Sequence, residues 1–241
     1  MSTPLLQVSD LGRSFGGLQA LSDVSFSVEA GEVFGIIGPN GAGKTTLFNC
    51  ISGLIPPSTG SVRFAGQRID TMRPHDICRL GLARTFQLVR PFHGMTVVEN
   101  VMVASYGRYR QPAEARAHAF LALERVGMQD LAEEDAERLS VAEMRRLEIA
   151  RAIATEPRLL LLDEMMAGLT ATESDHLCEQ VLALNRSGIT VIMVEHSVPI
   201  IRRLCGNAIV LNFGAMLARG HVEEVLADPA VQDAYLGSAA A

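Results

Sequence analysis

The segment Gly38-Pro39-Asn40-Gly41-Ala42-Gly43-Lys44-Thr45 restricts the fold of this chain more than any other stretch. It fits the pattern GxxxxGK[ST] and directly follows the apolar run Val33-Phe34-Gly35-Ile36-Ile37. A run of this kind reads as a buried strand, the glycine-rich segment as a loop, and residues 44–52 as the helix that the loop opens. Backbone N–H groups of such a loop converge on phosphate oxygens, and the helix N-terminus adds partial positive charge. In this arrangement Lys44 reaches the β and γ phosphates of a nucleotide and Thr45 holds Mg2+. The candidate phosphate-binding residues are therefore Gly38, Asn40, Gly41, Ala42, Gly43, Lys44, Thr45 and Thr46. Of the 21 basic residues in the chain Lys44 is the only lysine, so an ammonium stands at the one position where the pattern requires it.

Composition narrows the class. With 241 residues, 48% of them apolar and 20% charged, the chain has enough hydrophobic surface for a packed α/β globule, which excludes a disordered protein. A net charge of -6 argues against a protein whose main work is gripping nucleic acid, and phosphate affinity must be local. Cys50, Cys78, Cys178 and Cys205 fall singly with no CxxC pair, a pattern that predicts reduced thiols in a cytoplasmic protein and no thiolate metal site. The N-terminus lacks the basic and apolar regions of a secretion signal, and nowhere do 18 apolar residues run together, so no membrane span is expected.

Along the chain, residues 4–30 and 61–64 predict short, mostly antiparallel strands punctuated by glycine. Residues 97–154 read as helical throughout, with capping boxes at Thr96-x-x-Glu99 and Ser140-x-x-Glu143. Beyond them strands (159–163, 190–194, 208–212) alternate with helices, one spanning 171–186 behind the box Thr170-x-x-Glu173, which implies a parallel sheet. The run Leu159 to Leu162 ends in Asp163-Glu164, two carboxylates at the sheet edge where open α/β folds bind ligands. There Asp163 is placed to complete a Mg2+ shell, and Glu164 to orient and deprotonate a water for in-line attack on the γ phosphate.

Together with Gln87 in Arg-Thr-Phe-Gln and His196 in Val-Glu-His, these motifs resemble the ATP-binding subunits of ABC transporters over essentially the whole chain. The resemblance implies a RecA-like P-loop core with a mostly parallel sheet, an N-terminal antiparallel β subdomain and an all-helical insertion. It implies one ATPase domain over 1–241, with the β subdomain and P-loop part over 4–87, a helical subdomain over 88–155 and the rest of the core over 156–241. Gln87 resembles the glutamine that meets Mg2+ and the attacking water, His196 the histidine that contacts the γ phosphate, and Phe15 the aromatic that stacks on adenine. Without the resemblance these are a loop glutamine, a strand-end histidine and a core aromatic. Gly81-Leu-Ala-Arg-Thr-Phe-Gln, Gly94-Met-Thr-Val-Val-Glu-Asn and the tail from Asp228 to Gly237 resemble the LivG-like branch of branched-chain amino acid importers, and parts of them are shared with lipopolysaccharide-export ATPases. The resemblance further implies ATP and Mg2+ as cofactors, a homodimer or heterodimer with a second such ATPase, two membrane permease subunits and, through these, a substrate-binding protein. It places the chain at the cytoplasmic face of the inner membrane as a peripheral subunit. A kinase or GTPase accounts for the P-loop but not for Gln87, His196 and the helical insertion together.

Two stretches depart from the family pattern. Its signature, LSGGQ or in this branch often LSYGE, reads Leu139-Ser-Val-Ala-Glu143 here, so both glycine positions are gone. In the family this segment closes over the γ phosphate held by the opposite subunit, which makes Ser140, Ala142 and Glu143 candidate nucleotide contacts. Ala142 adds a methyl where backbone approaches phosphate, and it does not readily take a positive φ. A capping box alone would also explain Ser140 and Glu143, and a low-activity regulatory subunit is the alternative that the altered signature favours. The second departure is Met165-Met166-Ala-Gly-Leu-Thr170-Ala171 where the branch usually reads Pro-Ala-Ala-Gly-Leu-Asn-Pro; Thr170 can still cap the next helix.

Overall fold

A computed structural model describes residues 3–86 and 90–236. In chain order its elements are β1 (Leu6–Phe15), β2 (Leu18–Val28), β3 (Val33–Ile37), α1 (Lys44–Ile51), β4 (Thr59–Phe64), β5 (Gln67–Arg68), α2 (Pro74–Leu80), β6 (Leu82–Arg84), α3 (Val97–Ser105), α4 (Pro112–Arg125), α5 (Val141–Ile153), β7 (Leu159–Asp163), α6 (Ala171–Arg186), β8 (Thr190–Val194), α7 (Val198–Leu204), β9 (Asn207–Asn212), β10 (Ala215–His221), α8 (Val222–Ala227) and α9 (Pro229–Leu236). They fall into two units, one formed by the chain up to Ile77 together with the chain from Thr190 on, the other by Cys78–Ile189.

The first unit contains the antiparallel order β2-β1-β4-β5. It also contains β3 between β8 and β9, parallel to both, with β10 antiparallel on β9. Every residue of β3 and β8 is buried, as expected of strands covered on both faces. β1 and β2 are longer than the short strands that the sequence predicts. Register shifts between Val8 and Leu11 and between Leu11 and Arg13 absorb the breaks in alternation, so Val8 and Leu11 are both buried although three residues apart. The core gathers Leu6, Leu21, Ile36, Leu47 and Phe48, with the Phe26 and Phe34 rings stacked 5.5 Å apart.

In the second unit β6 and β7 pair in parallel, and all five residues of β7 are buried. Between 97 and 154 the described residues form α3, α4, α5 and two 3-10 turns, with one isolated bridge, Thr96 to Asp135. The three capping boxes are present at Thr96, Ser140 and Thr170. Each satisfies backbone N–H groups that a helix start leaves without partners. No described helix is long and apolar enough to cross a membrane. No disulfide joins the four cysteines, and burial pushes the Cys50 and Cys205 thiols up to about 11 and about 12.

Asp70 is a buried carboxylate of the first unit, accepting the Val62 N–H at 3.1 Å and the Arg68 guanidinium at 2.9 Å. Burial pushes its carboxyl up, but these hydrogen bonds outweigh burial and hold it below the usual aspartate range. Its contribution is therefore present above the unfolded-state value and lost as pH falls through the lower folded one. Asp70→Asn is expected to lower stability by about 1–3 kcal/mol at neutral pH. It should also flatten the loss of stability below about pH 4, measured by urea unfolding at stepped pH.

Candidate active site

The phosphate-loop candidates sit between the end of β3 and the start of α1. Gly38, Gly41 and Gly43 all have positive φ, at 149°, 79° and 102°. At two of them the neighbourhood also excludes a side chain: a Cβ on Gly38 would stand 2.2 Å from the Leu211 carbonyl oxygen, and one on Gly43 2.7 Å from that of Ala20. Gly214 N–H donates to the Ala42 carbonyl at 3.0 Å, so the β9-β10 turn holds the loop from behind. Lys44 is 5% exposed, and its Nζ donates to the carbonyls of Gly38 at 2.7 Å and Pro39 at 2.9 Å, spanning the loop. Unlike α3, α5 and α6, α1 begins without a capping side chain and with no acidic residue in its first turn. An uncapped helix start, a glycine-shaped cradle and one ammonium form a fitting site for an anion such as a nucleotide phosphate. Asn40, Gly41 and Thr45 are exposed beside it, Thr46 is half-buried and Ala42 is buried.

Two further candidates lie in the same unit. Phe15 closes β1 opposite Leu18, 42% exposed, with the Arg13 guanidinium 4.5 Å from its ring centroid. It is a surface aromatic, not a core residue. His196 is exposed two residues beyond β8, after the buried Glu195, and Ser197 stands at the N-cap of α7 without a capping hydrogen bond.

The second unit carries the carboxylates. Asp163 is the last residue of β7, and its buried side chain accepts the Arg84 Nη2 through Oδ2 at 2.8 Å. Glu164, half-buried, has φ of 49°. A left-handed backbone at a non-glycine residue costs about 1–3 kcal/mol and clusters at working sites. Gln87 lies outside the described residues.

Ser140 is the N-cap of α5, and Val141 and Ala142 occupy its first turn. Ala142 is among the residues with ordinary negative φ, so the left-handed backbone that only glycine takes readily is not required there. The bulk of the side chains remains, and Val141 is exposed. Glu143 Oε2 accepts both the Ser140 N–H at 2.8 Å and the Ser140 hydroxyl at 2.7 Å, which hold its carboxyl below the usual range.

A family model described as ABC transporter matches residues 21–167 of this sequence. The chain belongs to that family. A second model, described as branched-chain amino acid ATP-binding cassette transporter, matches residues 215–241. The high-affinity branched-chain amino acid transport ATP-binding protein BraF of Pseudomonas aeruginosa is 41% identical, over 99% of this chain and all of the relative. LivG of Escherichia coli K12, with the same description, is 38% identical over the same shares. A solved nucleotide-free ATP-binding cassette from an ABC transporter superposes with a TM-score of 0.89 at 31% identity, covering 97% of this chain and 99% of its own. A cassette in its ADP conformation gives 0.89 at 32%, covering 98% and 100%. This chain is thus a LivG-like ABC ATPase, a nucleotide-binding, ATP-hydrolysing transporter subunit with the α/β P-loop fold. The lipopolysaccharide-export alternative finds no support in these relatives.

Sequence reasoning assigned no role to Arg84 or Glu148 in this ATPase. Glu148 is buried in α5, accepts the Phe86 N–H at 3.3 Å and pairs with Arg151 at 3.0 Å. Burial pushes its carboxyl up, against the pull of Arg151. The available signal was a charged residue beside apolar ones, Arg84 after Leu82-Ala83 and Glu148 between Leu147 and Ile149, which in isolation marks only a surface. Since Val141 and Ala142 are helical, Ala142→Gly is expected to destabilise α5 by about 1 kcal/mol. Ser140→Ala should cost about 0.5–2 kcal/mol through the lost cap. Denaturant midpoints of the two variants check both values.

Proposed function

We propose that this chain is the ATP-hydrolysing subunit of an importer for branched-chain or related small amino acids, or for small acids or amides. It works at the cytoplasmic face of the membrane as a homodimer or heterodimer of ABC ATPases, docked on two permease subunits and served indirectly by a substrate-binding protein. Residues 1–241 act as one ATPase domain with β, helical and core parts divided near 87 and 155. The observation that carries this reading is the start of α1, where Gly38, Gly43 and Lys44 build an anion cradle and the N-cap residue, Gly43, makes no side-chain cap.

Each residue then has a stated task. Phe15, whose ring has Arg13 on one face, stacks on adenine with the other. The loop from Gly38 to Thr46 binds the phosphates, with Lys44 on the β and γ groups. Thr45 and Asp163, joined by Gln87, offer hydroxyl, carboxylate and amide oxygens, a donor set suited to a hard cation such as Mg2+. The bound ion would neutralise charge on the phosphates. Glu164 orients the attacking water and takes its proton, and His196 contacts the γ phosphate. Ser140, Ala142 and Glu143 face the nucleotide of the partner subunit. Cargo is proposed from the relatives, whose descriptions name branched-chain amino acid transport.

A second reading, a regulatory subunit of low turnover, is favoured by one observation: the Ser140 hydroxyl that would meet phosphate already donates to Glu143. Hydrolysis of Mg-ATP by the purified chain separates the two. Under the main reading wild type turns over and Glu164→Gln loses about 100-fold or more while still binding ATP. Binding without turnover in wild type selects the regulatory reading.

A further inference from the structure

Asp163 carries its own cationic partner. β6 and β7 run in parallel, with Arg84 opposite Leu161, and this register brings the Arg84 side chain up to the carboxylate at the end of β7. Nη2 to Oδ2 is 2.8 Å, with the two side chains 8% and 5% exposed. The residues around the pair fix it on both sides. Thr85 N–H donates to the Leu161 carbonyl at 2.9 Å, and Asp163 N–H donates to the Thr85 hydroxyl at 3.3 Å. The Arg84 guanidinium also lies 5.5 Å from the Phe86 ring, whose residue is tied through its N–H to Glu148. A buried ion pair held this closely is not a surface accident, because removing either partner leaves an uncompensated charge in a poor solvent for ions.

The same pair bears on metal uptake. The Arg84 guanidinium is a cation that sits against the Asp163 oxygen donors. A divalent cation approaching Asp163 alone therefore meets a carboxylate already paired with a cation, and that positive charge lies one carboxylate away. A cation that arrives with nucleotide phosphates brings compensating negative charge. We propose that Arg84 is a positioning counter-cation that bars Asp163 from taking up a divalent ion by itself, so that metal is accepted there only with nucleotide. This rests on the reading of Asp163 as a metal ligand and adds a condition to it.

The test is Mn2+ binding followed by electron paramagnetic resonance, with and without ATP, on wild type, Arg84→Met, Arg84→Gln, Arg84→Lys and Asp163→Asn. Without nucleotide, both neutral variants should bind Mn2+ roughly tenfold more tightly than wild type, the size of one unit charge beside a divalent ion even when water screens it. Arg84→Lys, which keeps the charge, should stay at the wild-type value. Thermal unfolding supplies a readout independent of turnover: Arg84→Met should melt below wild type and regain part of the loss on adding Mn2+. Arg84→Met combined with Asp163→Asn should recover stability without Mn2+ and show no gain with it. Neutral variants that fold yet bind Mn2+ no better than wild type overturn the proposal. If Asp163→Asn leaves the Mn2+ affinity of the ATP complex unchanged, the assignment of Asp163 as a ligand is what fails. If it weakens that affinity while the neutral variants behave as wild type, only the role of Arg84 is lost.

Discussion

The close approach of neighbouring backbone to Gly38 and Gly43 is the constraint on which the proposed nucleotide site depends. Two carbonyls press on the loop, Leu211 against Gly38 and Ala20 against Gly43, at distances that leave no room for a Cβ. A third contact, from Gly214 N–H to the Ala42 carbonyl, pins the loop to the β9-β10 turn, and Ser22 N–H bonds the Gly214 carbonyl in turn. The cradle is thus shaped by β2 and β9 as well as by its own glycines. That is why residues distant in sequence must fold together before the start of α1 can accept phosphate. Lys44 spans the same loop, so the ammonium is already placed along the wall of the cradle and need not be ordered by the ligand.

In the second unit the organising feature is a set of side chains that satisfy helix starts. Ser140 and Glu143 close a complete box, and the price of that stability is that the Ser140 hydroxyl is engaged by a carboxylate. A neutral glutamine at this place would release the hydroxyl more readily than Glu143, whose charge strengthens the bond. Ser140 and Glu143 match the branch pattern, so the cap belongs to the branch, and the change in this chain lies in the side chains of Val141 and Ala142. Loss of both glycines costs nothing in backbone conformation, since the first turn of α5 needs no left-handed residue.

Much of this was legible in the sequence because each signal was local. The run into Gly38, the three capping boxes and the helix over 171–186 each follow from spacing within a few residues. Other elements carried no such signal. β10 alternates between exposed and half-buried residues with none fully buried, α2 is short, and β6 has three residues. The length of β1 depends on bulges, which a strict alternation conceals. The candidates Lys44 and Asp163 each stand in a contiguous motif, which a sequence displays. The Arg84 to Asp163 pair is not displayed in this way, because it joins residues 79 positions apart through strand register. The strain at Glu164 likewise belongs to backbone geometry, which residue identity does not display.

The central claim is that the start of α1 holds a nucleotide through its phosphates. Affinities of the purified chain for adenosine, AMP, ADP and ATP, measured by calorimetry beside Lys44→Ala, test it most directly. The account predicts tight binding only for ADP and ATP, at least about 100-fold above AMP, with most of that advantage lost in Lys44→Ala, as expected when charge-assisted hydrogen bonds to phosphate are removed. Equal affinity for AMP and ATP, or indifference to the loss of Lys44, would contradict it.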